Sequence, residues 1–102
     1  MPETDSPYIL LIKLKMKPGE EETFKRELQE ILKQVRQEPA CIDITGHQDP
    51  EDPSRYMLFE VWTSAEAFAE FESGRAYIRE YLARVGELWA EPRDLSVWER
   101  VA

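Results

Sequence analysis

The segment from Glu38 to Trp62 constrains the fold more than any other part of the chain. It runs Glu38-Pro39-Ala40-Cys41, a short stretch to Gln48, the acidic loop Asp49-Pro50-Glu51-Asp52-Pro53-Ser54, and then Arg55 to Trp62. Proline presets one turn dihedral and aspartate bonds nearby backbone N–H groups, so this loop is a turn. Two β-rich runs joined by it read as a hairpin. In the first run Ile42 and Ile44 share one face, and Cys41, Asp43, Thr45 and His47 share the other. In the second, Tyr56, Leu58, Glu60 and Trp62 oppose Met57, Phe59 and Val61. Large apolar groups on both sides predict a central strand covered twice.

The flanking segments complete the pattern. Tyr8, Leu10, Ile12, Leu14 and Met16 recur at every second position, which predicts a strand. Its other face begins with Ile9 and Leu11 and ends with Lys13 and Lys15. Pro18-Gly19 breaks it. Glu20, Glu21 and Glu22 then open a helix, where carboxylates favour the positive end of the dipole. Phe24, Leu28, Ile31, Leu32 and Val35 form its apolar stripe to about Gln37. Glu21 with Lys25 and Glu22 with Arg26 have the spacing of solvent-side ion pairs. Thr63-Ser64-Ala65-Glu66 has the spacing of a capping box. A short helix carries Phe68 and Phe71, Ser73-Gly74 interrupts it, and a second helical piece carries Tyr77, Ile78, Tyr81, Leu82 and Val85. Leu95, Val97, Glu99 and Val101 alternate in a last strand.

The order β-α-β-β-α-β is the ferredoxin-like arrangement, an α+β fold with one antiparallel four-stranded sheet and helices on one side. Ile9, Leu11, Met57, Phe59 and Val61 then populate a bare face too apolar for water, which predicts a homodimer through the sheet. The 102 residues fit one domain, read as residues 8–102 after a flexible tail over residues 1–7.

Composition removes several function classes. Thirteen basic against twenty-one acidic residues leave a net charge of −8, which repels nucleic acid and anionic membranes. Cys41 is the single cysteine, so no internal disulfide or multi-thiolate metal site forms. The run Tyr8–Ile12 is too short for a signal peptide or membrane span, and the cytoplasm is the expected location. Gly19, Gly46, Gly74 and Gly86 are isolated, so no phosphate-cradling loop exists. No motif supports a nucleotide, flavin or metal cofactor, and none is expected.

Lys15-Met16-Lys17-Pro18-Gly19-Glu20, Glu38-Pro39-Ala40-Cys41, Asp49 to Arg55, and Glu60-Val61-Trp62 followed by Thr63-Ser64-Ala65-Glu66-Ala67 together resemble the antibiotic biosynthesis monooxygenase family. The resemblance spans residues 8–101. It implies a dimeric α+β barrel: two sheets packed face to face, helices outside, and a pocket in each subunit between sheet and helices. The activities it implies include cofactor-free oxygenation of aromatic polyketides and quinols. Phe71 stands where members often carry a histidine, and Gly74-Arg75-Ala76 where a second one is common. The haem-degrading branch uses a helix-borne histidine, which this chain lacks, so haem is not implied.

The candidate site residues follow from that chemistry. Oxygenation without a cofactor needs an electron-rich substrate anion, hence a dry aromatic cavity, a base and an oxyanion donor. Trp62, Phe68, Phe71, Tyr77 and Tyr81 are the candidate pocket residues. Trp62 corresponds to the family's cavity tryptophan, and it also fits plain core packing at a strand end. Tyr77 and Tyr81 lie one helical turn apart, so both hydroxyls can face one cavity or both rings can be core. His47 is the one side chain of a type that ordinarily titrates near neutrality. These four (Trp62, Tyr77, Tyr81 and His47) are the candidate catalytic residues. Arg75, Arg79 and Arg84 are candidate donors or solvated helix arginines. Glu60 shares the face of Trp62 and reads as a buried carboxylate or half of an ion pair. Three functions stay open: a cofactor-independent monooxygenase acting on a small aromatic or quinol-type molecule, a non-catalytic small-molecule-binding or stress-related dimer, and an isomerase or decarboxylase of the same barrel superfamily.

Overall fold

Alternation along Tyr8–Lys15 produces the first strand, β1, because it gives each face of the sheet its own set of side chains. The computed structural model describes residues 7–102, so the expected tail, apart from Pro7, lies outside the described residues. Among the described residues the elements that follow are α1 (Glu21–Val35), β2 (Cys41–Gln48), β3 (Arg55–Trp62), α2 (Ala65–Gly74), α3 (Ala76–Val85), a 3-10 turn (Gly86–Leu88) and β4 (Asp94–Trp98). The strands lie in the order β2-β3-β1-β4, every pair antiparallel. This is the ferredoxin-like α+β fold that the element order predicts.

Register decides the two faces. Leu10, Ile12, Leu14, Ile44, Tyr56, Glu60 and Trp62 are buried with Phe24, Leu28, Phe68, Phe71 and Tyr81 from the helices. On the other face Ile9, Leu11, Met57, Phe59 and Val61 are half-buried in the single subunit. A bulge between Cys41 and Asp43 corrects the expected facing of β2. Cys41 pairs with Trp62 and packs against the core, whereas Ile42 is left 58% exposed. An extra residue in one strand resets the period-two count, and no alternation rule anticipates it.

Other ends differ in detail. Gly19, at φ +89°, supplies the left-handed turn before α1. Of the two expected ion pairs on α1 neither forms; Lys25 bonds Glu22 one turn back at 3.4 Å, and Glu21 accepts from the Gly19 N–H instead. The cap of α2 is Ser64, whose Oγ accepts from the Ala67 N–H at 3.0 Å, so Glu66 is not at the capping-box position. The last strand stops at Trp98, short of Glu99 and Val101. The helices do not reach over β4, and Leu95 and Val97 stay 37% and 59% exposed.

Gly46 lies on the covered face of β2, paired with Leu58, and α1 crosses it closely. A Cβ there would sit 2.8 Å from Leu28 Cδ2 and 3.4 Å from Leu58 Cδ2. A leucine tip can turn aside for one methyl but not for a branched group. Urea denaturation should find Gly46→Ala close to wild type and Gly46→Val destabilised by about 1–3 kcal/mol. Equal stability of Gly46→Val and wild type would contradict this packing.

Candidate functional site

A cavity of about 50 Å³ lies between the helices and the covered face of the sheet. Most of its wall is aliphatic or aromatic, with Phe68, Phe71 and Tyr81 among the lining residues. The polar exceptions are Glu60, Glu72, Tyr81, Trp89 and Arg93.

Glu60 is the one residue with a carboxylate or a basic group among the buried side chains described, at 5% exposure. Strand β3 places it there: it pairs with Leu10 on one side and Ile44 on the other, in the middle of the sheet. Its Oε1 accepts a hydrogen bond from Trp62 Nε1 at 2.8 Å. The two side chains are two residues apart on one strand, hence neighbours on one face. Burial pushes the Glu60 carboxyl above the usual carboxylate range; the Trp62 hydrogen bond opposes this, Glu72 adds to it and Arg93 opposes it.

Tyr81, on α3, is 6% exposed, and burial chiefly, with Glu27 adding, raises its hydroxyl well above the ordinary phenol. Trp89 is held at the cavity by backbone bonds. Lys17 N–H donates to the Leu88 carbonyl at 2.8 Å and Ala90 N–H to that of Lys15 at 2.7 Å, so residues 88–90 continue the sheet beside Met16. Its indole Nε1 is buried without a hydrogen-bond partner. An unpaired buried donor costs about 1–3 kcal/mol. Arg93, in the segment entering β4, meets Glu72 of α2 through two hydrogen bonds of 3.0 and 2.9 Å.

The structure separates the residues expected to act together. Phe68, Phe71 and Tyr81 line the cavity, but Trp62 and Tyr77 do not. Trp62 is fully buried behind the wall, its ring centroid 4.6 Å from that of Phe71 and 5.5 Å from that of Phe68. Its polar atom reaches the cavity only through Glu60. The expectation that Tyr77 and Tyr81 share one hollow does not hold: the Tyr77 hydroxyl donates to Glu38 at 2.7 Å, beside the Arg75–Glu38 ion pair. That cluster explains Glu38: burial raises its carboxyl, and hydrogen bonds from Arg75 and Tyr77 outweigh burial and hold it low. His47 is exposed, pairs with Met57, and bonds Thr45 at 3.0 Å, a neighbour on the bare face, away from the cavity. Arg79 donates to the Ser73 carbonyl and Arg84 pairs with Glu27, both at the surface.

Trp89, Glu72 and Arg93 escaped the sequence reading. Nothing local marks Trp89 as a sheet extension, because its partners lie some seventy residues earlier. Among the described residues no cluster of His, Cys, Asp and Glu could hold a metal ion, and no helix is long and apolar enough to cross a membrane.

Residues 7–84 match the sequence profile of the antibiotic biosynthesis monooxygenases. The chain belongs to that family. No curated protein matches it. Solved structures agree on the fold. A candidate antibiotic biosynthesis monooxygenase of Nitrosomonas europaea superposes with a TM-score of 0.88 at 22% identity, over 95% of this chain and 92% of that one. The protein PA3566 of Pseudomonas aeruginosa gives 0.87 at 21% identity, over 97% and 98%. Rv0793 of Mycobacterium tuberculosis gives 0.85 at 23% identity, over 95% and 97%. Identities this low carry the fold of this monooxygenase-family chain and nothing finer.

The raised Glu60 carboxyl has a consequence for stability. Between the ordinary glutamate pKa, about 4.3, and the higher folded value, the folded chain holds a proton that the unfolded chain has lost. Stability linked to Glu60 is therefore complete below the ordinary range and is lost as pH rises through the folded pKa. Glu60→Gln keeps an acceptor for Trp62 but never ionises. Urea midpoints across pH should show the variant gaining on wild type as pH rises through that window and then holding level. A constant difference would mean that Glu60 titrates alike in both states.

Proposed function

We propose that the chain is a homodimeric, cofactor-independent monooxygenase acting on a small aromatic or quinol-type molecule, with Glu60 as its base. The observation that carries the reading is a single buried carboxyl, held by an indole N–H, facing an aromatic-lined cavity. A carboxyl with a raised pKa is a better base than an ordinary one, because its affinity for a proton lies closer to that of its target. Trp62 orients it and leaves its second oxygen for substrate.

The reaction balances on substrate and dioxygen alone. Glu60 removes a proton from an activated C–H or phenolic O–H, leaving an electron-rich anion. That anion passes one electron to dioxygen, and the radical pair combines to a peroxide anion, which takes back the proton from Glu60 to give the hydroperoxide. For a doubly activated methylene carbon, loss of water from the hydroperoxide leaves a ketone: R2CH2 + O2 gives R2CO + H2O. In that last step Glu60 takes the remaining C–H proton and passes it to the departing hydroxide. The unpaired Trp89 Nε1–H is the donor for the developing oxyanion, and Tyr81, kept protonated by its burial, brings the one hydroxyl among the lining residues.

The dimer rests on the bare face. Val61, Ile9 and Trp98 form one cross-strand row, and Phe59 and Leu11 the next. Trp98 is 57% exposed in the single subunit. Joining two such faces removes this surface from water, and a stable pair requires on the order of 1,200–2,000 Å² in total.

Oxygen uptake with a panel of hydroquinones and anthrones tests the chemistry. Wild type should consume oxygen with a rate that falls as pH drops through the Glu60 pKa, and Glu60→Gln should lose about 100-fold or more. Substrate turnover without oxygen uptake would instead mark a proton-transfer isomerase, and binding without turnover a carrier. Light scattering tests the assembly: a wild-type dimer at micromolar concentration, and a monomer for Phe59→Lys. A wild-type monomer throughout would refute it.

A further inference from the structure

Among the residues that line the cavity Arg93 is the one cation, and it is already engaged. Its guanidinium holds the Glu72 carboxylate through two parallel bonds, Nη1 to Oε2 at 3.0 Å and Nη2 to Oε1 at 2.9 Å. Both side chains are about a quarter exposed, 27% and 26%, whereas Glu60, Phe68, Phe71 and Tyr81 are all under a tenth. The pair is thus part of the rim where the cavity meets solvent. It also joins two segments distant in sequence, α2 and the approach to β4.

The cavity at about 50 Å³ admits a few waters and no aromatic ring, well below the roughly 300 Å³ at which ligand pockets begin. Entry of any ring requires part of the rim to move. Glu72, near the end of α2, is partly exposed and can swing into water, where a carboxylate is well solvated. Arg93 would then be left with a forked donor set shaped for a carboxylate and no acceptor to fill it.

We infer that the ligand of this cavity carries an anionic group, a carboxylate or an ionised phenol beside its ring, which Arg93 binds in exchange for Glu72. Glu72 occupies in the resting protein the position that the ligand's carboxylate takes when bound. The exchange conserves charge at the rim: one anion leaves the guanidinium and another replaces it. Arg93 is then the specificity-determining residue of the site, and Glu72 its competitor. The inference rests on the proposed cavity as the ligand site, but not on the oxidation assigned to Glu60.

Calorimetric binding of 2-naphthoate and of the uncharged 2-naphthalenemethanol, neither of which is turned over, tests it. Wild type should prefer the carboxylate. Arg93→Gln should abolish that preference, weakening 2-naphthoate by about 10-fold, and Arg93→Lys should retain part of it. Glu72→Gln should bind 2-naphthoate several-fold more tightly than wild type. The opposite signs are decisive, because both glutamine variants break the same ion pair and a merely structural bridge would loosen the site alike in each. Equal affinity for the two probes, no binding of either, or weaker 2-naphthoate binding in Glu72→Gln overturns the inference. Oxygen uptake can fail while this preference stands, and the preference can fail while oxygen uptake stands.

Discussion

A carboxyl group held inside an apolar layer is the costly feature around which this molecule is arranged. Glu60 sits two residues before the end of β3, an inner strand, 5% exposed, among leucines, isoleucines and aromatic rings. An isolated charge there would cost many kcal/mol, so the group either pairs or takes up a proton. This fold does some of each. The Trp62 indole donates one hydrogen bond, Arg93 lies near enough to favour the ionised form, and burial nevertheless wins. The result is a proton acceptor whose strength is set by its surroundings. A glutamine would satisfy Trp62 without that electrostatic tension, so the presence of a carboxyl asks for a chemical reason.

The rest of the fold positions that group. A four-stranded antiparallel sheet has two faces, and the three helices cover one of them across β2, β3 and β1. Strand β3 lies inside the sheet, with β2 on one side and β1 on the other, so Glu60 is shielded from solvent. The extension at residues 88–90 brings Trp89 to the cavity. The other face is free to meet a second sheet without disturbing the cavity, so the proposed chemistry and the proposed assembly use opposite sides of one layer.

Strands and helices were legible because their signal is periodic. Tyr8–Met16 alternates, α1 carries a stripe at helical spacing, and the Pro-rich loop 49–54 marks the hairpin. What failed to read were events that interrupt a period or join distant segments. The bulge at Ile42 inverts the faces of β2 up to that point, and one extra residue leaves no trace in composition. The cap moved from Thr63 to Ser64, since either hydroxyl satisfies the local pattern. Among site residues, the side chains sharing a parity were placed well: Glu60 with Trp62, and Phe68 with Phe71 one helical turn apart. Tyr77 was misplaced because its fate depends on Glu38, across the fold. Trp89 and Arg93 depend on a loop whose path is set by β1, which no window around them contains.

The central claim is that Glu60 is a buried acid with an elevated pKa at the cavity. Carbon-13 NMR of the glutamate side-chain carboxyls, titrated over about pH 3 to 9 and compared with Glu60→Gln, reads it directly. One resonance, absent from the variant, should titrate clearly above the ordinary midpoint of about 4.3. A Glu60 resonance with its midpoint at or below that value would contradict the account.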